Sequence, residues 1–145
     1  MNKEINNKIA LCNIIDPVAI TATTTSDIID TKGFESLSVV VAMGAGTFTT
    51  SNYLTCKLQE SDTTTGTDFT DVASADLIGS FLVYNAESDG IDQNSVQKVG
   101  YRGTKRYVRL VATETGTFSS VISATAILSD ARSDVASNVA ITATA

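Results

Sequence analysis

The chain has 145 residues, a single proline, no tryptophan and a formal net charge of −6. A chain of this length can bury roughly 70% of its unfolded surface in one core. The excess of acids argues against nucleic acid as a partner, because displacing counterions from phosphates needs lysine and arginine in surplus.

Taken in chain order, residues 1–15 mix asparagine and lysine with the apolar stretch Ile9 to Ile15 and are expected to form an N-terminal arm. The start Met1-Asn2-Lys3-Glu4 lacks the apolar centre of a secretion signal. Val18 to Ala22 is a strand candidate, and Asp30-Thr31-Lys32-Gly33 reads as a turn. Leu37, Val39, Val41 and Met43 alternate with smaller residues until Gly44-Ala45-Gly46. Leu54, Cys56 and Leu58 put a second period-two face on Tyr53–Glu60. Phe69 and Val72 are expected to return a polar loop to the core, with a short helix permitted over Asp71 to Leu77. Gly79 to Tyr84 reads as a short strand, and Asp89-Gly90 as a turn.

The plainest pattern comes late. Arg106 to Thr113 and Phe118 to Leu128 both alternate, and Glu114-Thr115-Gly116-Thr117 between them suggests a hairpin turn in which Gly116 takes a positive φ. Residues 131–145 carry only Val135, Val139 and Ile141 as sparse apolar points and are expected to form a C-terminal arm. Such arms either fray or add a strand to a neighbour's sheet edge. Strands spaced in this way predict an all-β fold: an antiparallel β-sandwich over residues 16–130, with arms at both ends.

Little in the sequence offers chemistry. With no histidine, the Ser-His-Asp and Cys-His arrangements are absent, and so is the commonest general base at neutral pH. Cys12 and Cys56 fit no zinc spacing and read as small apolar residues. Gly44-Ala45-Gly46 opens like a phosphate-binding loop, but Thr49 stands where the last glycine belongs. The carboxylate pairs Glu60/Asp62, Asp68/Asp71 and Asp89/Asp92 read as solvated turn residues, and Asp62, Asp68 and Asp71 lack the EF-hand calcium spacing. The expectation is therefore a binding protein with no enzymatic activity, cofactor or metal. No apolar run reaches the roughly 20 residues of a membrane span, so no membrane partner is expected. One basic cluster, Arg102, Lys105, Arg106 and Arg109, is either a solvated strand face or a contact for an acidic protein surface.

Three segments carry a family resemblance. Asp30-Thr31-Lys32-Gly33-Phe34-Glu35-Ser36-Leu37 resembles the opening of small virion proteins of tailed bacteriophages. Lys57-Leu58-Gln59-Glu60-Ser61-Asp62 followed by Phe69-Thr70-Asp71-Val72, and then Tyr101 to Leu110, are similar to two further elements of those proteins, in the same order. The set resembles the capsid cement, or decoration, proteins. The resemblance implies a jelly-roll-like sandwich on the outer capsid surface of a virion. It would bind the major capsid protein and associate with itself as a homodimer or homotrimer. Ile5, Ile9, Arg102, Lys105 and Arg106 are the expected contact residues. The structural role for Tyr101, Tyr107, Arg106 and Arg109 is to pin strands together. Rival readings are a phage tail or baseplate structural protein and a carbohydrate-binding sandwich, the latter disfavoured by few aromatics.

Overall fold

A computed structural model describes residues 5–6, 8–85, 90–117 and 119–131. The strands among them are β1 (Ile9–Ile20), β2 (Thr24–Thr25), β3 (Ile29–Asp30), β4 (Phe34–Gly46), β5 (Tyr53–Ser61), β6 (Thr70–Asp71), β7 (Leu77–Ile78), β8 (Ser95–Tyr101), β9 (Tyr107–Thr115) and β10 (Ser120–Ala131). They form two antiparallel sheets. One has the order β1-β10-β4-β8-β7; the other has β2-β9-β5-β6, with β3 also on β9. Between sheets the chain alternates: β1 lies in the first, β2 and β3 in the second, β4 in the first, β5 and β6 in the second, β7 and β8 in the first, β9 in the second and β10 in the first. This winding is that of a jelly roll, an all-β sandwich.

The alternation that marks each strand in the sequence becomes the core. Ile122, Ala124, Ala126 and Leu128 of β10 are buried, as are Val108, Leu110 and Ala112 of β9, and Val39, Val41 and Met43 of β4 join them. Cys12 is buried and Cys56 packs against the core; both are free thiols. Burial pushes the Cys56 thiol up to about 12 and raises Cys12 as well, so neither is poised as a thiolate.

Three expectations need correction. First, β9 and β10 do not form a hairpin. β9 pairs with β5, from Tyr53↔Thr115 to Ser61↔Tyr107, and β10 pairs with β1 and β4. Gly116 does take a positive φ, +84°, but its turn carries the chain from one sheet to the other. Facing strands of two sheets show the same alternation as paired strands of one sheet, because period two reports which face is buried and not which neighbour is bonded.

Second, the N-terminal arm expected over residues 1–15 is not an arm from Ile9 onward. Ile9–Ile15 begins β1, and Ala10, Cys12, Ile14 and Ile15 are core residues. The register shifts between Asn13 and Ile15 and again before Val18; Pro17 sits in that interruption, on an edge strand where its missing N–H is tolerated. Third, Gly79 to Tyr84 is not a strand, although Tyr84 bridges singly to Leu54 and to Ile91. The short helix permitted over Asp71 to Leu77 is a single 3-10 turn, Ser74–Asp76. The expected C-terminal arm lies, beyond Ala131, outside the described residues.

Candidate binding surfaces

The three sequence segments that carry the resemblance meet at one end of the sandwich. Arg106 donates to both carboxylate oxygens of Asp30, from Nε at 2.9 Å and from its terminal nitrogen at 2.7 Å. Lys105 Nζ is paired with Asp62, and the Tyr101 hydroxyl donates to Glu60. Arg109 donates from two nitrogens to Gln59 Oε1, at 2.9 and 2.7 Å, and lies over the Phe69 ring at 4.3 Å. The Tyr101 hydroxyl also accepts the Lys105 backbone N–H at 3.0 Å. A Cβ at position 103 would stand 2.5 Å from that hydroxyl, so only glycine permits the approach.

These contacts shift the titrating groups. The hydrogen bonds from Arg106 hold Asp30 below the usual carboxylate range, and Gln59 and Lys57 do the same for Asp71. Burial, with Glu60 beside it, pushes Tyr101 above the ordinary phenol range. An open groove of about 570 Å³ lies between residues 31–37 and 101–106. Of its three cations, Lys105 and Arg106 are matched by carboxylates of the chain, and Lys32 is in no ion pair among the described residues.

The expected contact residues therefore divide. Lys105 and Arg106 line the groove and are paired within the chain, whereas Arg102 does not line it: its Nε donates to the Ala75 carbonyl at 2.8 Å. Ile5 is 65% exposed and its carbonyl accepts the Lys8 N–H at 2.9 Å. Ile9 opens β1 opposite Ser129. Its row continues through Ser129 to Ser36, which lines the groove two strands away. Asp62, Asp68 and Asp71 point to different partners: Lys105, Thr63 and Lys57. No group of three metal-ligating side chains occurs among the described residues.

A second surface was not singled out in the sequence. Directly opposed residues share a face, so the registers trace rows across the outside of the five-stranded sheet. One row is Leu11, Ile127, Ser38, Gly100 and Ile78; the next is Asn13, Thr125, Val40 and Lys98. Beyond them lie Ser123, Ala42 and Val96, then Ala19 and Val121. Lys98 is the single charged side chain in these rows, in a chain of net charge −6. Four apolar residues there, Leu11, Ile78, Val96 and Val121, are 44–66% exposed. The outer face of the other sheet carries Lys57, Gln59, Arg109 and Asp71, linked by hydrogen bonds. The signal for this asymmetry is present in the sequence as the uncharged alternate positions of β4 and β10, but only the strand order makes them one surface.

No protein-family model matches the chain, and no curated protein matches it. No helix among the described residues is long and apolar enough to cross a membrane.

Proposed function

We propose that the chain is a structural virion protein that binds the outer surface of a phage capsid and cements adjacent major capsid subunits, without catalysis. The observation that carries this reading is the outer face of the five-stranded sheet, whose four traced rows hold no carboxylate; Asp130, bonded to Ser36, and Asp16, bonded to Asn13, lie at its margins. Desolvating a charge without a matched partner is costly, so this face is the part of an acidic molecule that can be covered most cheaply. Four strand spacings by about ten paired residues give roughly 600 Å² of projected face, approaching the ~800 Å² that each partner buries in a standard interface. The resemblance of the three motif segments supports a capsid as the partner. Their mutual ion pairs give those residues a scaffolding role, holding the groove end rigid behind the docking face. Many copies on a symmetric shell add weak contacts into a stable coat.

The test is co-sedimentation with undecorated phage capsids. The wild-type chain pellets with capsids, and Val96→Glu, at a position 66% exposed, weakens binding about tenfold or more while leaving the melting temperature unchanged. A chain that stays in the supernatant overturns the reading, as does preferential binding to tail tubes or to a glycan array. The glycan alternative is weakened by the absence of any aromatic in the fully exposed class among the described residues.

A further inference from the structure

A sheet edge is a row of unpaired backbone donors and acceptors, and proteins guard such edges by keeping them short, charged or interrupted by proline. Three of the four edges here follow that rule: β7 and β6 are two residues each, and the β2–β3 edge consists of two two-residue pieces. The fourth edge, β1, runs for 12 residues. From Ile9 to Ile15 it contains neither a charge nor a proline. Among the described residues its only cover is at the far end, where the Ile14 carbonyl accepts the Asp27 N–H at 3.0 Å and the register breaks before Pro17. No described residue pairs with the free edge of Ile9–Asn13, and Leu11 is 46% exposed.

We propose that this open stretch pairs antiparallel with β1 of a second copy. The argument for a second copy is charge. Lys8 stands just before the open stretch; Asp16 and Asp27 stand just past it, and all three side chains are exposed. No ion pair involves any of them among the described residues. Antiparallel pairing of two identical edges brings Lys8 of each copy alongside Asp16 and Asp27 of the other, twice by symmetry. In the alternative occupant within the chain, residues 132–145, the charges Arg132 and Asp134 come first and the strand-like stretch Val135–Ala145 contains none, so that stretch offers nothing to these three groups. Pairing about a two-fold axis perpendicular to the sheet makes a continuous ten-stranded sheet with the outer faces of both copies on the same side. The dimer rests on β1 and its flanking charges, and it stands or falls without reference to capsid binding.

The edge contributes less than a standard interface area, so the dimer is expected to form in the micromolar range. Sedimentation velocity and native mass spectrometry of the full chain from about 1 to 300 µM are the assays. The expected result is a monomer–dimer equilibrium in which the amides of Leu11 and Asn13 exchange more slowly as dimer forms. Lys8→Glu weakens it about tenfold, since two ion pairs become repulsions. The triple variant Lys8→Glu, Asp16→Lys, Asp27→Lys restores it. A strict monomer over this range overturns the proposal, and so does a dimer indifferent to Lys8→Glu. A dimer lost on Ile141→Lys but kept in Lys8→Glu assigns the edge to the C-terminal segment and overturns it too.

Discussion

Ser26 lies in the break between β2 and β3, and it is 7% exposed. The strand there leaves the ladder of β9, and the side chain of Ser26 takes its place. Its Oγ accepts the Leu110 N–H at 2.9 Å and donates to the Asp27 carbonyl at 2.8 Å, while its own N–H donates to the Leu110 carbonyl at 2.9 Å. Leu110 is fully buried, so its N–H has no access to water. Ser26→Ala removes the acceptor and keeps the backbone bond. An unsatisfied buried donor costs about 1–3 kcal/mol, against the few tenths gained by burying a methyl group. The expected net loss is about 2 kcal/mol, or a fall of roughly 4–8 °C in melting temperature for a domain of this size. Urea unfolding at pH 7 measures it, with an unchanged m value showing that the same surface is exposed. A loss below about 0.5 kcal/mol would refute the reasoning, because it would mean that Leu110 finds another acceptor at no cost.

Tyr84→Phe is expected to have the opposite sign. The Tyr84 side chain is fully buried and its hydroxyl has no hydrogen-bond partner among the described residues; the nearby Gln97 bonds Leu82 and Ser95 donates to Asp92. Removing the hydroxyl stabilises by up to about 1 kcal/mol in the same urea assay, since the ring's stacking on Phe48 and the backbone bonds to Leu54 remain. Gly116→Ala is expected to lower the melting temperature by several degrees, because an added Cβ meets the Ser51 carbonyl at 2.4 Å and the φ of +84° is unfavourable to a side chain. Acid should destabilise the fold: Asp30 and Asp71 titrate lower in the folded chain, so their contribution is full above the ordinary carboxylate value of about 4 and is lost as pH falls through their folded values. Asp30→Asn should flatten that acid limb in a urea-midpoint series from pH 7 to pH 3, by lowering the midpoint at pH 7 while leaving it little changed at pH 3.

Period-two alternation and the scarcity of helix signals are local properties, and they were enough to establish an all-β chain and most strand positions. The inner faces of β4, β5, β9 and β10 are legible residue by residue for that reason. Alternation cannot say which strand lies beside which, so the β9–β10 pair looked like a hairpin although its members face each other across the core. It also could not place Ile9–Ile15, whose unbroken apolar run matches a buried edge strand as well as an arm. The basic cluster looked available for a partner because its counter-charges Asp30 and Asp62 lie some 76 and 43 residues away in sequence. Only the tertiary structure closes those distances, lines up the uncharged alternate positions of separate strands into one face, and puts the long strand β1 at a sheet edge. Each of these depends on contacts between residues far apart in the chain, and local pattern carries no information about which distant partner a residue will meet.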